Sequence, residues 1–228
     1  MRRKHPKSGL APTQLTAAWQ CASLLLGYPD DDLLGRLDVV ERAAAALPDA
    51  VGRPLREMAA TLARDPLPQL QAAYVETFDT RRRCNLYLTY FTHGDTRKRG
   101  VALLRFKQAY LRSGFVLDAD PASGAELPDH LCVVLEYAAT VDQDRGRDLL
   151  LDHRAGIELL RLALRDAGSP WAPVLASLCA TLPPLRGDEV EAVRRLAAEG
   201  PPEEEVGLAP YAMPELAGSA DLEAGVPS

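Results

Sequence analysis

Apolar residues recur every third or fourth position through most of residues 13–199, and the interruptions fall at Gly and Pro. The pattern predicts a first helix from Thr13 to Leu26, stopped by Gly27-Tyr28-Pro29. A second begins at an Asp30 cap and ends before Pro48; a third carries Leu55, Met58 and Leu62 and ends before Pro66. Leu67, Leu70, Tyr74, Thr77 and Phe78 share one face of a helix ending near Asp79 or Thr80. Leu86, Tyr87, Leu88, Tyr90 and Phe91 then form a short apolar run that periodicity assigns neither to strand nor to helix.

Gly94-Asp95 reads as a turn, with the Asp95 side chain capping a helix from about Thr96 to Gly114. Val101, Leu104, Tyr110 and Leu111 supply its expected buried face, and Gly100, which costs about 1 kcal/mol in a helix interior, implies a closely packed neighbouring backbone. A loop with Pro121 and Gly124 spans Phe115 to Leu127. Pro128 sits in the first turn of the next helix, which bears Leu131, Val134, Leu135, Ala138 and Val141 on one face. Leu150, His153, Ile157, Leu160 and Leu164 read as one continuous amphipathic helix with His153 on its core face. Ser169-Pro170 opens another, bearing Trp171, Val174, Leu175 and Leu178, and a last one runs from Asp188 to Glu199.

Strand-forming residues are sparse and no Asn-Gly hairpin signal occurs, so the expected class is all-α: one globular bundle of about eight or nine helices. Residues 1–12 read as a disordered basic tail, 13–200 as the helical domain, and 201–228 as a disordered tail with six acids and no Lys or Arg. Cys21, Cys84, Cys132 and Cys179 form no C-x-x-C pair and read as reduced, buried thiols. No apolar secretory segment follows Met1-Arg2-Arg3-Lys4, which implies a cytoplasmic protein.

Charge is uneven: nine Lys or Arg and one acid between Arg81 and Arg112 give a local +8 in a chain of net −6, leaving −14 elsewhere. Nucleic acid is disfavoured as a partner, since there is no recognition motif and the overall field repels a polyanion. Arg81, Arg82 and Arg83 can pair with Glu76 or Asp79, the acidic tail can fold back on the basic stretch, and Arg97, Lys98 and Arg99 can meet an anion at a helix start. His93, Asp95, Asp129 and His130 could build an acid–base or metal site if their segments meet, but no H-E-x-x-H, G-x-S-x-G or P-loop accompanies them. Asp129 equally reads as a helix-start carboxyl. Tyr87, Tyr90 and Phe91 read as core aromatics or as anchors in a groove for a partner segment.

The runs YVETFD (74–79), LYLTY (86–90) and GDTRKRG (94–100) followed by ALLRFKQAY, with Glu126-Leu127-Pro128-Asp129-His130-Leu131 and Leu135-Glu136-Tyr137 in that order, resemble the NarJ-type nitrate reductase molybdenum cofactor assembly chaperones. The resemblance implies the all-helical, TorD-like fold of redox-enzyme maturation chaperones. It implies a non-catalytic cytoplasmic protein that binds the catalytic (alpha) subunit of respiratory nitrate reductase, chiefly through that subunit's N-terminal segment. The client-peptide site it implies comprises Leu86, Tyr87, Tyr90, Phe91, Gly94, Asp95, Arg97, Arg99, Leu104, Asp129 and His130. No metal and no stably bound cofactor are expected, only transient contact with the molybdenum cofactor during transfer, and neither nucleic acid nor membrane insertion. The alternatives are a maturation chaperone for another molybdoenzyme and a small helical metal- or nucleotide-dependent hydrolase.

Overall fold

The computed structural model describes residues 9–94, 96–117 and 126–199. Among them every regular element is helical: α1 (Pro12–Leu25), α2 (Asp31–Leu34), α3 (Leu37–Ala45), α4 (Asp49–Arg64), α5 (Leu67–Tyr74), α6 (Tyr90–His93), α7 (Arg97–Arg112), α8 (Leu131–Thr140), α9 (Gln143–Asp152), α10 (Arg154–Asp166), α11 (Ala172–Thr181) and α12 (Asp188–Glu199). Residues 1–8, Asp95, 118–125 and 200–228 lie outside the description, and with them the Asp95 cap, the middle of the predicted loop and most of both predicted tails.

α1 is the hub, packed against α8, α11, α3 and α4. Its Trp19 is fully buried, and the indole N–H that burial would otherwise strand donates to Thr181 Oγ1 on α11 at 2.9 Å. Trp171, also fully buried, takes Tyr74 and Phe78 edge-on, each with ring centroids 5.4 Å apart. The Tyr74 hydroxyl donates to the Leu26 carbonyl at 3.0 Å, bonding the end of α5 to the end of α1. Beyond α5 the chain widens into a π turn over Val75–Asp79, closed by Thr80 N–H on Val75 O.

The all-α expectation matches the structure, which has more and shorter helices than anticipated. The single helix expected between Asp30 and Pro48 divides at Gly35-Arg36, where Arg36 N–H bonds back only three residues to Leu33 O. Asp30 does cap, accepting Leu33 N–H at 2.7 Å. The expected 150–164 helix breaks at His153, whose backbone N–H turns to Leu151 O while its Nδ1 lies 2.9 Å from Leu149 O.

The expected face of α7 holds at Tyr110 and is reversed at its other three positions. Ala102, Phe106 and Tyr110 point inward, whereas Val101, Leu104 and Leu111 are 64%, 54% and 62% exposed. Two apolar stripes compete on this helix, and the aromatic one wins because its rings bury more area and find partners. Phe106 packs on His153 and Tyr110 on Tyr137, and the Tyr110 hydroxyl donates to Pro128 O at 2.5 Å. Gly100 is likewise corrected: a Cβ there would meet nothing within 4 Å. Gly146 is the helical glycine that α8 needs, since an added Cβ would collide with Ala138. These two positions should respond with opposite signs to alanine, measured as urea midpoints: Gly100→Ala should stabilise by about 0.5–1 kcal/mol, and Gly146→Ala should destabilise by about 1–3 kcal/mol.

Candidate functional site

The segments carrying LYLTY and the Pro-Asp-His turn are sewn together. Leu88 N–H donates to Asp129 O at 3.0 Å and Leu131 N–H to Leu86 O at 2.9 Å, placing Tyr87 opposite His130 in an isolated antiparallel bridge. Asp129 is fully buried, and its Oδ2 accepts from Thr89 N–H at 3.1 Å and from the Thr89 hydroxyl at 2.5 Å. With its proton committed to Asp129, the Thr89 hydroxyl accepts from Arg99 Nε at 3.2 Å. The Arg99 guanidinium completes the cluster, 3.8 Å from Asp129 Oδ2 and stacked over the Tyr87 ring at 5.1 Å.

Asp129 therefore does not cap α8, which starts at Leu131. Its carboxyl joins Leu86–Thr89 to α7. Leu86, Tyr90 and Phe91 are buried in the body of the protein, with the Phe91 ring against Gly156 of α10. Gly94 ends α6 at φ 56°, a conformation that favours glycine. Arg97 and Leu104 lie on the exposed outer side of α7, away from the Asp129 cluster. The expected residues thus divide between the buried join, the core and the surface; Leu86, Tyr87 and His130 border one opening together.

That opening is a cleft of about 400 Å³ lined by Tyr28, Tyr74, Phe78, Leu86, Tyr87 and His130, with Asp79 and Glu126 also on its walls. Tyr28 stands half-exposed, edge-on to Tyr74 at 5.4 Å, and the Tyr87 hydroxyl donates to Glu126 at 2.9 Å. The sequence offered little sign of Tyr28, which read only as part of a helix stop, or of Glu126 as a wall residue. A larger cavity of about 430 Å³ lies elsewhere, between the Arg81–Cys84 turn, α10 and α12. It contains neither motif segment apart from Phe91, so the smaller cleft is the better candidate. Arg81 pairs with Glu76 as expected.

Burial holds the His130 imidazole below its ordinary pKa despite the opposing pull of Glu126 and Asp129, and holds His153 low as well. Burial pushes the Cys21 and Cys179 thiols up to about 11, which keeps them protonated and poorly nucleophilic near neutrality. Among the described residues no group of three or more His, Cys, Asp and Glu is placed to hold a metal ion. No described helix is long and apolar enough to cross a membrane.

The architecture is shared with a solved structure from Archaeoglobus fulgidus described as a redox enzyme maturation protein, at a TM-score of 0.52 and 23% identity, covering 86% of this chain and 99% of that one. The class is therefore an all-helical bundle with the fold of that protein. Residues 44–177 match the family described as nitrate reductase delta subunit, and the chain belongs to that family. It is 34% identical over 184 residues to the nitrate reductase molybdenum cofactor assembly chaperone NarJ of Escherichia coli, covering 78% of this chain and 74% of the relative. It is 44% identical over 164 residues to the nitrate reductase-like protein NarX of Mycobacterium tuberculosis, covering 72% of this chain; the match spans only 24% of NarX. The NarJ relative is named as a chaperone and not as a catalyst, in line with the non-catalytic expectation.

Two outcomes follow from the cluster and the buried imidazoles. Asp129→Ala leaves Thr89 and Arg99 without their shared acceptor and should cost about 3 kcal/mol in denaturant unfolding. Because the folded His pKa values lie below the unfolded one, the unfolded chain takes up protons first as pH falls. Stability should therefore decline from about pH 6.5 downward, and His153→Asn should flatten that decline in a melting-temperature series.

Proposed function

We propose that this protein is a maturation chaperone for respiratory nitrate reductase, binding the catalytic subunit before completion and assisting molybdenum cofactor insertion without joining the final enzyme. The observation that carries this reading is the join between the LYLTY and Pro-Asp-His segments, which sets Tyr87 and His130 side by side in the wall of an aromatic cleft. Family membership and the name of the NarJ relative support the client's identity.

In this reading the cleft takes the N-terminal segment of the catalytic subunit, with Tyr28 and Tyr87 as anchors and His130 as a polar contact. Asp79 and Glu126 favour an apolar segment that also carries positive charge. The helical domain, residues 13–200, is the working unit, and it acts in the cytoplasm. The molybdenum cofactor is cargo, touched in passing, and its anionic group would meet the exposed Arg97 and Lys98 at the start of α7.

Calorimetric titration with a synthetic peptide matching the N-terminus of the cognate catalytic subunit tests the reading. Saturable one-to-one binding near ~1 μM is expected, weakened roughly tenfold by His130→Ala and by Tyr28→Ala. Tyr28→Ala guards against a folding defect at the buried His130. Absence of heat with folded protein, or affinity unmoved by both substitutions, would remove the peptide from this cleft.

A further inference from the structure

The outer face of α7 takes no part in the cleft or in the Asp129 cluster. The helix Arg97–Arg112 contains six Lys or Arg and no acid. Arg99 turns inward to Asp129, and the other five, Arg97, Lys98, Arg105, Lys107 and Arg112, are exposed. At 3.6 residues per turn, Val101, Leu104 and Leu111 fall within one sector of about 80° at the middle of the outer face, which Arg97 and Gln108 share. Lys107 lies on one side of that sector, and Lys98, Arg105 and Arg112 on the other. Each of the three apolar residues is more than half exposed. Lys98, Arg105, Lys107 and Arg112 form no ion pair with a described residue.

We propose that this face of α7 is a peripheral membrane-docking surface that lies flat on an anionic lipid bilayer. A largely apolar sector flanked on both sides by long cationic side chains is the arrangement of a helix resting in the bilayer interface: the apolar residues enter the acyl boundary and the cations reach lipid phosphates. A second copy of the chain is a poor occupant, because docking two such faces sets cation against cation. Nucleic acid satisfies the charges but offers no apolar phase to Val101, Leu104 and Leu111. The chain's net negative charge does not forbid the contact, since charges more than about 8 Å away are largely screened at physiological salt.

Flotation of the full chain with vesicles tests this. The protein should float with phosphatidylcholine–phosphatidylglycerol vesicles at about 0.15 M salt, and should stay behind with phosphatidylcholine alone. Leu104→Ser/Leu111→Ser and, separately, Arg105→Gln/Lys107→Gln/Arg112→Gln should each lower the bound fraction roughly tenfold, with circular dichroism and melting temperature unchanged because every altered side chain is exposed. No flotation with the anionic vesicles, equal flotation with neutral ones, or binding indifferent to the leucine substitutions would each overturn the proposal. So would a wild-type protein that ignores vesicles but binds a synthetic peptide of residues 201–228 through these same side chains, which would give the face to the acidic tail.

Discussion

A carboxyl group cut off from water must find its partners inside the protein, and much of this structure is arranged around how Asp129 does so. Its Oδ2 takes both the amide and the hydroxyl of Thr89, and the hydroxyl, its proton given away, becomes the acceptor that Arg99 requires. At low local dielectric such a chain of donors and acceptors has one good arrangement, and losing a member strands the others. The join between the Leu86–Thr89 strip and the head of α8 follows from it, and so does the seat of α7, held by Arg99 near its start and by the Tyr110 hydroxyl on Pro128 O further along.

The cleft beside this join is continuous with the core. Tyr28 meets Tyr74, Tyr74 meets Phe78, and both of the latter meet Trp171, which is fully buried. The half-exposed ring at the entrance is thus the outermost member of a packed aromatic series. A wall braced in this way loses little freedom when something docks on it, so less of the interaction is spent on ordering the receptor.

Sequence patterning made the all-α class legible, along with the Asp30 cap and several of the helices, because each rests on local rules that neighbouring residues state outright. The orientation of α7 was not legible in the same way. Val101, Leu104 and Leu111 compete with Ala102, Phe106 and Tyr110 for the core, and the choice depends on a carbonyl at Pro128 and rings at Tyr137 and His153, all distant in sequence. The break at His153 was hidden because the apolar spacing runs straight through it. At the site, the two motif segments were visible as a pair, yet which side chains face outward is decided by the bridge register. That register sends Leu86 and Leu88 into the core and leaves Tyr87 beside His130.

The join also closes a loop. Thr89 and Asp129 are 40 residues apart, and α7 lies wholly between them. With both ends of this excursion pinned by backbone hydrogen bonds, the entropy of closing it is charged to the bundle and not to the helix it contains. The outward side of α7 is consequently a place where descendants of this chain can change residues at little cost to folding. Bundle architecture and surface chemistry can then diverge at different rates within one lineage.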